Sequence, residues 1–299
     1  MMLSEESETM AKSTSNARPV PPWAAGLVAR LSQDRPAVVT REDLARYLGE
    51  LGSARSVDDT ASDLQQLGWL STLHLKGVWA FVPAGEGRPS DPYLDLRGWQ
   101  AREPDAVFAL AGEAAAWHLG YVARAFGGPL AIWLPAKARV PHGLRPHVSV
   151  VRISWPREDA RRMGPTSALL RRKGLDLTGW ASGLPAFGPE ALIVQLASRP
   201  RSFRIWADLV AHLDIFVSDC DLQRLADLLL EQSASAWQRA AYLLDRGGRG
   251  DDARTLLNQR PKDRMPVVSF GDGPITVWSP DFRVNDRLVA PLQEQLGKA

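Results

Sequence analysis

The stretch that most constrains the fold runs from Ser56 to Pro83 and reads SVDDTASDLQQLGWLSTLHLKGVWAFVP. Its first half repeats apolar residues every three or four positions, which predicts a helix that ends at Gly68. Two strand-like runs follow, WLSTLHL and VWAFVP. Lys76-Gly77 between them predicts a two-residue loop in which the glycine takes a positive φ. A helix followed by such a hairpin is the order of a recognition helix and its wing.

Two further helices are predicted before this stretch. Trp23, Leu27 and Leu31 recur every four residues and form one apolar stripe. Thr40 then precedes the segment REDLARYLGE and can cap its N-terminus, and Ser56 stands in the same relation to VDDT. Three short helices and a hairpin therefore predict a winged helix-turn-helix domain over residues 20–83.

The remaining chain is predicted to be a larger domain of mixed composition. Residues 1–19 are polar and are expected to form a disordered tail, and residues 84–92 are rich in Gly, Pro and Ser and are expected to be a linker. Residues 93–299 form the second domain, in which strand-like and helix-like segments mix. The predicted fold class is α+β: an N-terminal winged helix followed by a larger mixed α/β C-terminal domain.

The charge of the chain is distributed unevenly. Residues 18–90 hold eight Lys/Arg and eight Asp/Glu, whereas residues 135–204 hold 13 against four. The excess of basic residues therefore lies outside the predicted DNA-binding domain. The basic cluster in the second domain is either solvated surface or a surface that faces a polyanion or an acidic partner.

Candidate DNA contacts lie on and around the third helix. Ser62 and Gln66 face outward and are the candidates for base readout. Asp58 and Asp59 occupy the first helical turn, where the helix dipole favours negative charge, while Asp63 is either a solvated charge or an acceptor for a cytosine amino group. The candidates for phosphate contact are Arg41, Arg46, Arg55, Lys76, Arg171, Arg172 and Lys173.

A DNA-binding domain with so little net charge is expected to bind DNA with moderate affinity. Specific binding is then expected to need two copies of the chain, a dimer on an operator with an inverted repeat. A winged helix that serves only protein contacts is the alternative for this domain.

No arrangement typical of catalysis is found, so the protein is expected to be no enzyme and to need no cofactor and no metal. The five histidines lack metal-ligand spacing. The motif Asp219-Cys220-Asp221 precedes a helix that Asp221 can cap, and RGGRG at residues 246–250 follows a helix and fits a C-cap with a turn.

The setting of the protein is inferred from its single cysteine and its hydropathy. Cys220 excludes an intramolecular disulfide and suits a reducing compartment, so a cytoplasmic location is expected. The polar N-terminus does not resemble a secretory signal, and no stretch reaches the length of roughly 18 apolar residues that spans a membrane.

The order of segments resembles the AbiEi-type antitoxins. The matching pieces are VVTREDLARYLGE, DLQQLGWLSTLHLKGVWAFVPAG, AGEAAAWHLGY, GLPAFGPEALIVQLASRP, WQRAAYLLDRGG and ITVWSPDFRVND. The resemblance implies a DNA-binding repressor of its own toxin–antitoxin operon, whose C-terminal domain counteracts a cognate nucleotidyltransferase toxin.

Three alternatives stay open at this point. The main one is a winged-helix transcriptional regulator whose C-terminal domain senses a small ligand. The others are a nuclease that a winged helix targets to DNA, and a protein adaptor without DNA binding. A nucleotidyltransferase-like reading frame next to the gene would favour the antitoxin.

Overall fold

The computed structural model describes residues 18–87, 89–123, 127–154, 184–261 and 265–297. The chain divides into two compact units, Met1–Pro104 and Asp105–Ala299. The candidate contacts Arg171, Arg172 and Lys173 lie outside the described residues. Within the described ranges, no helix is both long and apolar enough to cross a membrane.

The first unit combines helices with one small antiparallel sheet. Its helices are α1 (Ala25–Asp34), α2 (Arg41–Glu50), α3 (Val57–Gln66) and α4 (Leu94–Arg102), and its strands are β1 (Val38–Thr40), β2 (Leu70–Thr72) and β3 (Val78–Phe81). The strand order is β1-β3-β2, so β3 lies in the centre. The core contains the predicted apolar stripe of α1, with Leu27 and Leu31 almost fully buried.

The two predicted N-caps are confirmed. The Thr40 hydroxyl accepts from the backbone N–H of Asp43 at 3.1 Å, and the Asp43 carboxylate accepts from the backbone N–H of Thr40 at 3.0 Å. Ser56 accepts from the backbone N–H of Asp59 at 3.1 Å. Each side chain satisfies a donor that the helix leaves unpaired at its start, so α2 and α3 begin where the local sequence sets them.

The hairpin loop is longer than predicted. Gly77 does take a positive φ of 74°, but β2 ends at Thr72, so the loop spans residues 73–77 instead of two residues. The physical reason is that Leu75 is buried and lies against Gly98 of α4. The loop is also held by Asp95, whose carboxylate accepts from the backbone N–H of His74 at 2.9 Å.

Helix α4 belongs to the first unit, although the sequence places residues from 93 onward in the second domain. The helix packs against β1 and β3, and Tyr93, Leu96 and Trp99 are buried. These side chains cover a sheet face that would otherwise be exposed to water. The boundary between the two compact units consequently falls after Pro104.

The second unit contains two small mixed sheets and a group of helices. The helices are α5 (Gly112–His118), α6 (Pro189–Ser198), α7 (Trp206–Val210), α8 (Leu213–Ser218), α9 (Leu222–Leu229), α10 (Ala234–Arg246), α11 (Gly250–Asn258) and α12 (Val289–Leu296). The strands are β4 (Ala109–Leu110), β5 (Leu130–Trp133), β6 (Val148–Val151), β7 (Val268–Phe270), β8 (Val277–Ser279) and β9 (Val284–Asp286). The mixture of helices and small sheets fits the predicted α+β class.

The core of the second unit is built around α6. Almost all of this helix is buried, and it packs against α5, α9 and α10. Pro189 occupies its first turn after the N-cap Gly188, as the sequence predicts. In the sheet β4-β5-β6 the first pair of strands is antiparallel and the second parallel; in β7-β9-β8 the order of the two pairings is reversed.

Candidate nucleic-acid interface

Helix α3 presents one polar face to solvent. Thr60, Ala61 and Leu64 are buried against the core of the first unit. Ser62 and Gln66, which the sequence predicts for base readout, are exposed on the outward side. Among the described residues, neither side chain has a hydrogen-bond partner, so both are available to a ligand.

Asp58 in the first turn of α3 holds Arg41 in an ion pair. The Arg41 guanidinium donates to both Asp58 carboxylate oxygens, with 2.8 Å between Nη2 and Oδ2. The hydrogen bond to Asp58 raises the pKa of Arg41. About half of the Arg41 side chain (52%) and two thirds of the Asp58 side chain (67%) are exposed, so solvent screens the pair and opening it costs little.

Asp63 holds Arg55 in an ion pair, which the sequence does not predict. The Arg55 guanidinium donates to the Asp63 carboxylate and stacks on the ring of Trp23, with 3.9 Å between the guanidinium carbon and the ring centroid. Only a third of the Arg55 side chain is exposed. The stacking and the ion pair fix the side chain of this candidate phosphate contact.

Arg46 is held within its own helix. Its guanidinium lies 3.1 Å from the Asp43 carboxylate and 3.4 Å from that of Glu50, and it stacks on the Tyr47 ring at 4.4 Å. The hydrogen bond to Asp43 is the main cause that raises the pKa of Arg46. Half of the side chain remains exposed, so these contacts leave it within reach of solvent.

Lys76 is the candidate phosphate contact that keeps its charge unpaired within the described part of the chain. Its ammonium group lies on the exposed hairpin loop. The next residue, Gly77, accepts from the backbone N–H of Arg41 at 2.9 Å, which ties the loop to the start of α2. The structure thus brings Arg41, Asp58 and the Lys76-Gly77 turn together.

Two of the three acidic residues of α3 therefore neutralise cations beside the helix. Asp58 pairs with Arg41 and Asp63 with Arg55, while Asp59 accepts from the Ser56 hydroxyl at 2.6 Å. Each of the three candidate arginines of the first unit is engaged by at least one carboxylate. A polyanion would have to compete with these pairs for the arginines.

The sequence did not single out Arg18, which the structure places near the end of α3. Its guanidinium donates to the carbonyl of Val82 at 2.6 Å and lies over the ring of Trp69, 5.6 Å from the centroid. These partners are 64 and 51 positions away in the chain, so no local pattern reveals the contact.

In the second unit the motifs that carry the family resemblance form polar contacts with distant segments of the chain. Gly112 of AGEAAAWHLGY donates its backbone N–H to Gln195 Oε1 at 2.8 Å. Glu113 of the same motif is buried and accepts from the backbone N–H of Arg204 at 2.8 Å. Glu190 accepts from the backbone N–H of Asp221 at 2.8 Å. These groups join segments about 30 to 90 positions apart, which is a structural role.

The D-x-D motif is likewise structural. Asp221 caps α9 by accepting from the backbone N–H of Arg224 at 2.8 Å, as predicted, and Asp219 accepts from the Tyr121 hydroxyl at 2.9 Å. Burial raises the pKa of the Cys220 thiol between them, so the thiol stays protonated. Over the described residues, His, Cys, Asp and Glu side chains form no cluster that could hold a metal ion.

Part of the basic stretch in residues 135–204 is also paired. Arg201 donates to both carboxylate oxygens of Asp272, at 2.6 and 2.8 Å. Arg204 lies 3.2 Å from the buried Glu113 carboxylate. One of the two arginines of the RGGRG motif at residues 246–250, Arg249, donates to two backbone carbonyls and to Asp252, which fits the predicted turn.

Comparison with known proteins gives two similarities. A family model described as the AbiEi antitoxin C-terminal domain matches residues 106–246. The chain is also similar to the solved crystal structure of the RV2827C protein from Mycobacterium tuberculosis, with a TM-score of 0.87 and 49% sequence identity over 95% of this chain and 98% of that one. No curated protein matches the chain.

Proposed function

Since the chain belongs to the AbiEi-type antitoxin family, we propose that it is a DNA-binding antitoxin that represses its own operon and counteracts a cognate nucleotidyltransferase toxin. The family, which is not a family of enzymes, supports the antitoxin role. The first unit supports DNA binding, and the second unit carries the matched antitoxin domain. Different residues carry the two activities.

The first unit is proposed to be a winged helix. Its three helices α1 to α3 precede a β2–β3 hairpin whose loop, residues 73–77, would be the wing. Helix α3 would then be the recognition helix that enters the major groove. The order of elements and the antiparallel sheet β1-β3-β2 support this assignment.

The observation that carries DNA binding is the exposed face of α3. Ser62 and Gln66 lie on it with no partner among the described residues, and the Gln amide can form the bidentate contact that distinguishes adenine. Lys76 on the proposed wing offers an unpaired charge to a phosphate. Arg41 and Arg46, half exposed in ion pairs, can exchange a carboxylate for a phosphate.

The proposed target is an operator with an inverted repeat that two copies of the chain occupy. One copy offers one unpaired lysine and arginines that are already engaged, so its affinity alone is modest. A dimer on DNA doubles the contacts and reads both half-sites. Arg171, Arg172 and Lys173 are proposed to add phosphate contacts, and the salt dependence of a variant with all three changed to Ala tests this.

The DNA-binding proposal is tested with the full-length protein in gel-shift titrations on the DNA upstream of its own gene. Gln66→Ala is expected to relax base preference, and Lys76→Ala to weaken binding to all sequences about equally. Matched controls are Gln223→Ala and Arg254→Ala, which remove an exposed amide and an exposed cation of the second unit outside the basic stretch. Operator binding that neither Gln66→Ala nor Lys76→Ala alters refutes the recognition-helix assignment.

The antitoxin proposal is tested in cells that express the neighbouring nucleotidyltransferase-like gene. Growth arrest by that gene product is expected to be relieved when the full-length chain is expressed with it. The Gln66→Ala variant should relieve the arrest equally well, because the proposed neutralisation does not use the DNA-reading face. Arrest that persists at confirmed expression of the chain refutes the proposed toxin.

A further inference from the structure

The sheet β7-β9-β8 in the second unit buries one face and exposes the other. Val268, Phe270 and Val284 point into the core, and the last two are fully buried. Side chains alternate along a strand, so their neighbours point outward. Ser269 is exposed, and so is 48% of Trp278. A tryptophan this exposed leaves much of a large apolar ring in water, although such a ring usually gains most from burial.

The register places a polar row beside this tryptophan. Trp278 pairs with Asn285 on β9, and Asn285 pairs with Ser269 on β7. Arg287 lies two positions after Asn285, which makes it a diagonal neighbour of Trp278, roughly 7–8 Å away and within reach of a long side chain. Arg283 lies in the turn that connects β8 to β9, where its backbone N–H donates to the Pro280 carbonyl at 3.3 Å. The backbone N–H of Arg287 donates to Phe270 at 2.8 Å, so the strand geometry continues to that residue.

Both arginines are exposed. Over the described parts of the chain, Arg283 and Arg287 form no ion pair, in contrast to Arg201, which engages both oxygens of Asp272. The hydrogen bond from Arg201 is the main cause that lowers the pKa of Asp272, and the charge of Arg287 adds a smaller contribution. The row of Trp278, Asn285 and Ser269 is therefore flanked by Arg287 just after β9 and by Arg283 in the turn before it.

Arg283 also occupies a backbone conformation that is unfavourable for it. Its φ is 52°, in the left-handed region that glycine or asparagine adopts more readily. Arg283 is the last residue before β9, so this conformation belongs to the turn that joins the two strands.

We propose that the exposed face formed by Trp278, Asn285, Ser269 and Arg287, together with Arg283 on the adjoining turn, binds single-stranded nucleic acid. A splayed base would stack on the indole ring, the adjacent phosphates would contact the two guanidinium groups, and the Asn285 amide would hydrogen-bond a base edge. Duplex DNA cannot use this face in the same way, because its bases are stacked inside the helix. The site is separate from the proposed duplex reader in the first unit.

The test uses the full-length protein and fluorescently labelled oligouridine, oligothymidine and duplex DNA of equal length, followed by anisotropy. Trp278→Ala is expected to weaken single-strand binding about 5- to 100-fold, whereas Trp278→Phe keeps most of the affinity. Arg283→Gln and Arg287→Gln should each lower the slope of log K against log salt by about 0.7. The two oligonucleotides show whether RNA or DNA is preferred.

Matched controls are Leu230→Ala, which removes another exposed apolar side chain, and Arg254→Gln, which removes an exposed arginine that pairs with Asp251. Neither should alter single-strand binding, and Trp278→Ala should leave operator binding unchanged. No binding of either single strand by the folded wild-type protein refutes the proposal. An equal loss of single-strand and duplex binding in Trp278→Ala also refutes the proposal. If the wild-type protein binds no single strand but Trp278→Ala loses its association with the toxin, the face is a protein interface and the proposal is again refuted.

Discussion

The ion pair between Arg41 and Asp58 predicts that a carboxylate on the proposed recognition helix limits unspecific DNA binding. Asp58→Asn removes this carboxylate, which has two effects that favour the binding of a polyanion. Arg41 becomes free to contact a phosphate, and one negative charge disappears from the helix turn nearest the hairpin loop. Because both side chains are at least half exposed, the effect on the stability of the fold should be small.

The magnitude follows from counterion release. One additional phosphate contact makes the slope of log K against log salt steeper by about 0.9, which is roughly a 3- to 4-fold gain in affinity on going from about 200 to 50 mM salt. The ratio of the variant's affinity for random-sequence duplex to that of the wild type should therefore be roughly 3- to 4-fold larger at about 50 mM than at about 200 mM salt. Affinity for the operator should rise less, because Arg41 is proposed to exchange its carboxylate for a phosphate there, so the specificity ratio should fall.

The assay is an anisotropy titration of the full-length protein with operator and random-sequence duplexes at several salt concentrations. Asp251→Asn is the matched control, since Asp251 also lies in the first turn of a helix and pairs with an arginine, Arg254, at 2.6 Å, but in the second unit. The double variant Arg41→Gln, Asp58→Asn should return the slope towards that of the wild type. A slope that Asp58→Asn leaves unchanged, or that Asp251→Asn raises equally, refutes the reasoning.

Three further predictions concern stability and reactivity. A fragment of residues 18–104 should be more stable than one of residues 18–92 by about 5 kcal/mol, because the shorter one loses the buried Leu96 and Trp99 of α4; equal denaturant midpoints would show that α4 contributes nothing. Asp286→Ala should destabilise the protein by about 3 kcal/mol or more in urea unfolding. The reason is that this buried carboxylate accepts from the Tyr242 hydroxyl at 2.8 Å and from three backbone N–H groups at the start of α12. A loss below about 1 kcal/mol would contradict this role. Burial raises the pKa of the Cys220 thiol, so it should react with a thiol reagent far more slowly in the native than in the unfolded protein. Raising the pH to about 9 should accelerate the native reaction little. Fast labelling of the native protein would mean that the thiol is accessible.

The sequence by itself determined the features that depend on neighbours a few positions apart. Thr40 and Ser56 define the starts of α2 and α3 because an N-cap acts within three residues. The outward position of Ser62 and Gln66 follows from the helical repeat in the same way. The order of these local segments was also enough to identify the antitoxin family, which the match to residues 106–246 confirms.

The tertiary structure alone decided which distant groups meet. Arg41 and Asp58 are 17 positions apart, and their pairing depends on how α2 packs against α3. The same holds for the length of the hairpin loop and for α4, because a buried Leu75 and a covered sheet face are properties of packing that no local repeat encodes. Trp278 lies beside Asn285 only because β8 and β9 pair in one register, and a shift of one residue would turn the indole towards the core.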